Sequence, residues 1–518
     1  MDSETRKVSA KEWIAVLGTM LGAFMAVLDI QITNSSLRDI SGGIAATPDE
    51  GSWISTAYLI GEIITIPLTA WLSRVFTLRW YLLGNIVLFL LFSSLCGISR
   101  NLGEMIAFRA GQGFTGGVFI PMALTVMLST LPRRLHPVGQ ALFGMTATLA
   151  PAIGPAIGGW LTDRFGWEWN FYINYLPGAV MFAAVWIAIE PQRFCLGELG
   201  RGDWWGIGCM AIGLGSLVAV LEEGQRHDWF GSQFIVSFAI ITALFVPAFI
   251  LIELCRDHPL VNLRLLCNRN LAVASLVGFG LGVGLYGSVF VIPLYLGEIQ
   301  GYSPLQIGET VIWVGLPQFL IFPLIPLLSK KVDVRLLVSF GCVIFAGSCL
   351  MNSYMDYNYA RDQYILANVI RAMGQPFTIV PVIGLATANI AKRDAGDASA
   401  IFNILRNLGG SVGIAILSTL ITRREQFHDW RIGESITVYD PATQQRLAAM
   451  QANFFSKGAD TVTAFHEALG ALKQVVRREA NIMAFNDAFL VVTVGLAVSA
   501  LLVWACKRPS MGQTGGAH

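Results

Sequence analysis

Three charged residues interrupt long apolar stretches of this 518-residue chain, and together they have the chemistry of a proton carrier. Asp29 lies near the end of the first stretch, Glu62 lies in the middle of the second, and Arg109 opens the fourth. A charge inside a membrane helix costs about 2.5–3.5 kcal/mol on insertion scales, so such residues persist where a function or a partner holds them. An arginine can keep a carboxylate ionised, and protonation can release the pair.

Asp29 and Arg109 can meet if both stretches are helices. At a rise of about 1.5 Å per residue, Asp29 lies about 24 Å along a helix that starts at Trp13, and Arg109 lies about 8 Å into an oppositely directed helix. The two depths match, so we expect an ion pair that couples protons to transport. A static pair that fixes helix packing is the alternative. Gln112, one turn after Arg109, and Asn34 are expected to support the coupling site.

The other buried or nearly buried charges have less defined roles. Glu62 can be a second proton carrier, a contact for a cationic substrate, or a buried and permanently neutral acid. Arg371 and Arg406 lie inside the twelfth and thirteenth stretches. We expect structural or gating roles for them, and contact with the substrate is the alternative. Glu222 and Glu223 lie at the end of a stretch, where solvation is expected.

Residues 150–160, APAIGPAIGGW, combine helix-bending and close-packing residues. Two prolines each remove a helical hydrogen bond. Three glycines let a neighbouring backbone approach closely. These residues are Pro151, Pro155, Gly154, Gly158 and Gly159. A bent, smooth-faced helix can rock against its partner, as alternating access requires, and plain tight packing is the alternative.

The elements that must position these residues are fourteen apolar stretches, each near the length of about 20 residues that crosses a bilayer. Only 13% of the residues are charged, too few for an ordinary soluble protein of this size. The predicted spans are 13–36, 50–72, 81–98, 103–130, 136–161, 169–189, 203–222, 232–253, 271–297, 304–327, 335–353, 362–390, 397–422 and 486–506. Each must be a helix, because lipid offers no partner for free backbone groups. The predicted fold is therefore an all-α polytopic membrane protein.

Positive charge in the gaps predicts the orientation. Nineteen of the 35 Lys and Arg residues lie in one alternate set of gaps, against five in the short gaps of the other set. Short loops rich in Lys and Arg stay in the cytoplasm, whereas long segments such as 423–485 cross regardless of charge. We therefore expect both termini in the cytoplasm. The first stretch is too long for a signal-peptide core, so it is expected to stay in the mature protein.

Two similar strings indicate an internal duplication. RAGQGF at 109–114 opens the fourth span, and RAMGQPF at 371–377 opens the twelfth. Chance likeness of two short strings is the alternative. Duplication predicts two six-helix bundles with two inserted helices between them, a recurrent transporter plan in which substrate binds between the halves. The predicted domains are 1–190, 191–270 with the inserted pair, and 271–518.

Segment 423–485 is too polar to span and too long for a simple turn. Asp440 and Pro441 have the residue types of a helix start. Apolar residues at helical spacing then follow, and a second helical stretch runs from about Thr461. Two roles stay open, a lid over the outer mouth or a docking surface for a periplasmic partner. The docking residues would be Leu447, Phe454 and Phe455.

Other kinds of function have little support in the sequence. The chain has no Walker A lysine motif, no histidine deep in a span, and no nucleophile–base or metal constellation. A net charge of +1 without a basic patch does not indicate nucleic-acid binding. GVGLYG at 282–287 lies inside a span with no preceding strand, so it is interpreted as a packing face. We expect neither an enzyme nor a metal or cofactor requirement.

Four strings together resemble a known family. LDIQITNSSL at 28–37, RAGQGFTGG at 109–117, GPAIGG at 154–159 and GWEWNFYINYLPG at 166–178 are similar to motifs of the fourteen-span proton-coupled drug exporters of the major facilitator superfamily. The inserted helices and the long segment before the last span are most similar to the EmrB branch of the EmrB/QacA group. That resemblance implies an EmrB-like permease of the bacterial inner membrane that exports hydrophobic drugs or toxic amphiphiles against proton influx.

The resemblance also implies partners. They would be a periplasmic adaptor of the EmrA type and a TolC-type outer-membrane channel, besides small hydrophobic substrates and membrane lipid. One departure concerns the loop after the second span, AWLSRVFTLRW at 70–80, where Ser73 replaces the family's usual acid and Arg74 remains. The acid-based cytoplasmic latch is therefore in doubt for this half. A proton-coupled importer or facilitator of an apolar metabolite is the alternative function, because a fold alone does not set direction.

Overall fold

The computed structural model describes residues 8–198, 200, 202–256, 259–387, 390–391 and 394–508. Within these ranges every regular element is a helix, and fourteen helical segments are long and apolar enough to cross a membrane. The predicted all-α, fourteen-span fold is confirmed. Some charged residues that contribute to the predicted orientation lie outside the described ranges: Arg6, Lys7, Arg201, Lys392 and Arg393. The last part of the proposed third domain, 509–518, also lies outside them.

Eight helices form the first six spans, the short helix α2 lies between the first two spans, and two more helices form the inserted pair. Their bounds are α1 Ala10–Ser35, α2 Leu37–Gly43, α3 Pro48–Val75, α4 Leu78–Gly97, α5 Leu102–Gly116, α6 Phe119–Thr130, α7 His136–Phe165, α8 Trp169–Tyr172, α9 Tyr175–Ala188, α10 Trp204–Glu223 and α11 Gln233–Cys255. The fourth span is α5 followed by α6, and the sixth is α8 followed by α9.

Nine further helices form the last six spans and the segment between the last two. Their bounds are α12 Arg269–Glu298, α13 Pro304–Val311, α14 Gln318–Ile321, α15 Ile325–Leu328, α16 Val334–Met351, α17 Arg361–Thr387, α18 Ala395–Ser435, α19 Pro441–Ser456 and α20 Thr461–Leu502. The tenth span is the broken run α13–α15. We call the end of the bundle where α1 begins and α20 ends the terminal end, and the opposite end the α19 end.

Side-chain caps fix several helix starts. Ser9 and Glu12 form a capping box at α1, and Thr47 and Glu50 form another at α3. In each box the hydroxyl accepts from the third helical amide while the glutamate accepts from the cap amide, which satisfies two otherwise free donors. Asn101 caps α5 by accepting from the Glu104 amide. The capped starts of α3 and α5 lie at the α19 end, as do Asp29 and Arg109.

Segment 423–485 is not a separate loop with two helices of its own, so that prediction was wrong in part. Helix α18 continues to Ser435, and α20 runs without a break from Thr461 into the last span. Residues 461–502 contain no proline, so nothing ends the helix where the sequence turns polar. Only α19 is an independent helix. The buried face of the extension is formed by Ala464, Ala468 and Leu472, whereas the neighbouring Phe465 and Leu469 are exposed.

Two helices occupy the seam between the halves. Helix α7 packs against α1 in its own half and against α13 and α17 in the other. The inserted helix α10 contacts α3 of the first half and α18 of the second. Hydrogen bonds also cross the seam, from Gln140 Nε2 to Thr387 Oγ1 at 3.3 Å and from Ser399 Oγ to the Pro121 carbonyl at 3.3 Å. Helix α18 also contacts α3 and α6 of the first half directly, so relative motion of the halves would change the contacts of α7, α10 and α18.

Candidate functional site

Asp29 and Arg109 form a fully buried ion pair. Arg109 Nη1 lies 2.6 Å from Asp29 Oδ2, and neither side chain is exposed. Helix α1 brings the acid and α5 brings the base to the same depth near the α19 end. The geometry is the one that the two depths predicted. Whether the pair carries protons stays a prediction.

Neutral side chains complete the cage around the Asp29 carboxylate. Gln112 Nε2 donates to Asp29 Oδ1 at 3.0 Å, and Asn174 Nδ2 donates to the same oxygen at 2.6 Å. Both amides also donate to Ser93 Oγ, and Gln112 Oε1 accepts from Arg109 Nη1 at 2.7 Å. Every hydrogen bond to the carboxylate comes from a donor, two on Oδ1 and one on Oδ2. The donors come from α5 and from Asn174 at the start of α9, so the charge of Asp29 holds α1, α5 and α9 together.

The surroundings of Arg109 keep water from the pair. The guanidinium lies 4.4 Å from the ring centre of Tyr58 and 5.8 Å from that of Phe171, and Nε donates to the Ile54 carbonyl at 3.3 Å. In a low-dielectric site such charge interactions are much stronger than in water. Breaking the pair without a compensating proton is correspondingly unfavourable.

Two members of this network were not predicted, and one predicted residue lies elsewhere. Asn174 and Ser93 are uncharged and lie in spans that hold none of the predicted coupling charges, so their positions along the chain do not connect them to the site. Asn174 is visible in the sequence as a polar residue within GWEWNFYINYLPG. Asn34, predicted to support the site, is exposed, and its side-chain oxygen accepts a hydrogen bond from Ser55. The structure does not bring it to Asp29.

Glu62 lies at the seam rather than beside Asp29. Its side chain is 4% exposed, and Oε1 accepts from Asn407 Nδ2 of α18 at 3.2 Å. Arg406 Nη2 donates to Asn407 Oδ1 at 3.4 Å. Two predicted site residues, Glu62 and Arg406, are thus brought together through Asn407, one from each half. This polar cluster between the halves can contact a substrate headgroup.

The glycines of residues 150–160 pack α7 tightly onto α1. A Cβ added at Gly158 would lie 2.9 Å from the Ile32 carbonyl oxygen, and one at Gly154 would collide with Gln31. The opposite side of α7 meets the second half, where a Cβ at Gly315 would lie 2.8 Å from Ala152 Cβ. Helix α7 stays continuous through Pro151 and Pro155, and Gly159 is also buried. The motif therefore connects the Asp29 helix to the other half.

Glu223 is buried rather than solvated, which corrects the expectation for the end of the seventh span. Its carboxylate accepts from Ser52 Oγ at 2.9 Å and from Thr56 Oγ1 at 2.6 Å, and its side chain is not exposed. Glu222 is hydrogen-bonded to Ser411 of α18. The sequence gives no sign that the end of α10 is covered by other helices. In the structure α10 lies in the seam, and α3 packs against its end. The two glutamates thus attach α10 to both halves.

The loop that lacks the family's acid meets an acid from the other half. Asp397, at the start of α18, is 9% exposed, and the positive charge of Arg74 acts on it. A Cβ added at Gly396 would lie 3.4 Å from Ala70 Cβ, so the end of α3 and the start of α18 are in contact. The substitution of Ser73 for an acid therefore leaves Arg74 with an opposite charge nearby.

The predicted docking residues lie on α19. Asp440 caps this helix, and its hydrogen bond from the Thr443 hydroxyl, 2.7 Å long, lowers the pKa of Asp440. Leu447 and Phe454 are half-buried, and Phe455 is 59% exposed. Gln451 Nε2 donates to the Thr461 carbonyl at 3.3 Å, so α19 folds back along α20. An aromatic side chain is thus presented at the tip of the bundle.

Comparisons with known proteins agree with this architecture. The Major Facilitator Superfamily profile matches residues 19–414. The chain is 31% identical to the colistin resistance protein EmrB of Acinetobacter baumannii, over 97% of this chain and 98% of that one. It is 30% identical to the multidrug export protein EmrB of Escherichia coli K12, over 98% of each. It is 29% identical to the fatty acid resistance protein FarB of Neisseria gonorrhoeae, over the full length of both.

A solved structure gives the same fold. The proton:xylose symporter XylE superposes with a TM-score of 0.58 and 13% identity, covering 96% of each chain. Within the described residues, no group of three or more His, Cys, Asp or Glu side chains is arranged to hold a metal ion.

Proposed function

Since this chain belongs to the major facilitator superfamily, and is a secondary multidrug exporter of the EmrB type, we propose that Asp29 carries the protons that drive export. The observation that supports this assignment is the buried Asp29–Arg109 pair with its cage of donors. We place the protein in the bacterial inner membrane with both termini in the cytoplasm. The domain limits 1–190, 191–270 and 271–518 are part of the proposal.

The geometry supports a route from proton binding to movement of the halves. A proton on Asp29 removes the charge that holds Arg109, so α1 and α5 are freed to shift. Ile32, one turn after Asp29, contacts Gly158 of α7. Helix α7 in turn packs on α13 of the second half. Proton binding in the first half thereby changes the contact between the halves, which is what alternating access needs.

The Glu62 cluster is the proposed contact for the substrate. It lies at the seam, it joins the halves through Asn407, and it carries charges of both signs. Binding sites in this class of fold lie near the midplane between the repeats. The hydrophobic part of a drug or toxic amphiphile would pack against the apolar walls, while its polar group contacts Glu62 or Arg406. Import of an apolar metabolite is less favoured, because the three relatives of similar sequence named above are described by export or resistance.

Reconstitution tests this function directly. The purified chain is placed in liposomes that hold a pH-sensitive dye, and a hydrophobic cation is added to one side. We expect substrate movement to drive proton movement in the opposite direction, and a protonophore to collapse substrate accumulation. Empty liposomes are the control. Substrate accumulation that is indifferent to the pH gradient would contradict the proposal.

We further propose that the α19 end docks a periplasmic adaptor of the EmrA type, which would connect to a TolC-type channel. Support comes from the exposed Phe455 on α19 and from the exposed Phe465 and Leu469 on the adjoining part of α20. Helix α19 lies along α20, which leaves this apolar side available. A lid role for α19 is the other outcome of the test below.

Replacing residues 441–456 by a short Gly-Ser linker is expected to separate transport from resistance. The linker removes α19 but keeps α18 and α20, so proton-linked transport in liposomes should stay near the wild-type rate. Resistance of intact double-membrane cells should fall to the level of cells without the exporter, because the adaptor no longer docks. Intact resistance together with intact adaptor pull-down would exclude docking. Altered transport in liposomes would indicate a lid.

A further inference from the structure

Arg371 is a buried cation, and the described part of the second half places no anion against it. Its side chain is 0% exposed in α17, and none of its three guanidinium nitrogens has an oxygen or nitrogen acceptor among the described residues. The groups that act on its charge are the Cys349 thiol, to which the guanidinium is also hydrogen-bonded, and the phenols of Tyr364 and Tyr359. The ring centre of Phe345 lies 5.5 Å away. No carboxylate is among these neighbours.

The surroundings of Arg371 differ from those of Arg109, which has an acidic partner. The two arginines open similar strings, RAGQGF and RAMGQPF. Arg109 is held by Asp29, by Gln112 and by the Ile54 carbonyl. In the second string Gln375 takes the place of Gln112, but its oxygen accepts from Gln318 Nε2 at 2.6 Å instead. The second half therefore repeats the arginine and omits the acid.

Further donors near the same helix are also without acceptors. The amide nitrogens of Asn352 and Gln375 are buried and unpartnered among the described residues, and both side chains are at most 1% exposed. Tyr359, which acts on Arg371, donates to Asn352 Oδ1 at 2.9 Å, so the Asn352 amide lies close to this group. One acceptor, Asn368 Oδ1, is likewise unpartnered. Around Arg371 the unpartnered hydrogen-bond donors thus outnumber the unpartnered acceptors, as expected of a site that binds an anion.

A buried guanidinium cannot lose its proton, and leaving it unpaired is strongly unfavourable. Its planar fork of N–H groups matches a carboxylate and also binds a halide. We propose that Arg371 is the centre of an anion site that takes a monovalent anion, either the carboxylate of an acidic amphiphile or a chloride ion. This site is separate from Asp29 and Glu62, and it goes beyond the proton coupling proposed above.

The turn 352–360 closes this site toward the α19 end. Tyr364 OH donates to Met355 Sδ at 2.7 Å. The Met355 amide and carbonyl are both bonded to the Asn486 side chain of α20 at 2.9 Å. Displacement of this turn would admit an anion to Arg371.

Thermal unfolding of the purified full chain in lipid nanodiscs tests the proposal. One arm compares sodium chloride with sodium gluconate at equal ionic strength, and a second compares dodecanoate with dodecanol. Ligands that bind only the folded state raise Tm in a saturable way. We expect a saturable rise of Tm in wild type with chloride or with dodecanoate. In Arg371→Gln the apparent Kd should rise by about tenfold or more, since a hydrogen-bonded charge is lost.

The matched control is Arg361→Gln, an exposed arginine at the start of the same helix that pairs with Glu309. It should keep the wild-type response. A response to chloride alone assigns the site to an inorganic ion, and a response to dodecanoate over dodecanol assigns it to an acidic amphiphile. The proposal is overturned if wild type shows no anion-specific rise, or if Arg371→Gln keeps it in full. The wild-type arms decide even if the variant does not fold, and they need no transport activity.

Discussion

Asp29→Asn is expected to reduce proton-coupled export to the level of empty liposomes while the protein still folds. Asparagine has nearly the shape of the acid, and its oxygen can still accept from Gln112 and Asn174, but it binds no proton at any working pH. The measurement is drug-driven proton movement across proteoliposomes. Substrate binding to the seam cluster around Glu62 should survive, because that cluster does not contact Asp29.

The control for this variant concerns the unpaired arginine. Asp29→Asn leaves Arg109 as a buried charge without a partner, and breaking such a pair costs about 3–5 kcal/mol. The double variant Asp29→Asn with Arg109→Gln removes both charges, so it should recover stability but not coupling. Wild-type proton movement in either variant would show that the pair only fixes helix packing.

Gly158→Leu is expected to abolish turnover. Already a Cβ at this position would lie 2.9 Å from the Ile32 carbonyl oxygen and against Ser35, so a leucine must push α7 away from α1. That displacement separates the proton site from the helix that contacts the second half. We expect substrate binding to fall much less than transport rate, because the Glu62 cluster lies elsewhere on the seam.

The matched control is Gly347→Leu on α16, where an added Cβ meets nothing within 4 Å. It introduces the same side chain into a membrane span without a collision, so transport should stay near wild type. The measurement is the rate of substrate transport against the amount of inserted protein. Equal rates in the two variants would show that close packing of α7 on α1 has no part in transport.

The sequence positions of Asp29 and Arg109 predict their depth in the membrane, and so predict the ion pair. The side of each helix that faces a neighbour cannot be predicted from sequence position in the same way. The rise of a helix is nearly constant, so the residue numbers of Asp29 and Arg109 suffice to place both at one level. The contacts of Asn174, Ser93 and Glu223 depend on which side of a helix faces a neighbour. Asn174 and Ser93 are uncharged, and such side chains in a span give only a weak signal. Glu223 was misjudged because the position of α10 in the seam follows from tertiary packing alone.

The point where α20 begins also could not be predicted from polarity. The polarity change near residue 485 suggests a boundary between a loop and a span. A helix ends where its backbone geometry or capping changes, not where its surface does, and residues 461–502 contain no proline. The start of α19 was predictable because Asp440 and Pro441 have specific local roles at that point.

The two long helices also have a mechanical consequence. Helix α18 has 41 residues and α20 has 42, or about 60 Å each at 1.5 Å per residue. A hydrocarbon core of about 30 Å leaves roughly half of each outside. Ion pairs from Arg424 to Asp487 and from Arg477 to Glu425, with a hydrogen bond between His428 Nε2 and Asp487, hold the two helices side by side. The parts of α18 and α20 inside and outside the membrane are therefore expected to tilt together. A small tilt of the second half then displaces the outer ends of α18 and α20 by a larger distance. A partner bound at these outer ends would oppose the tilt.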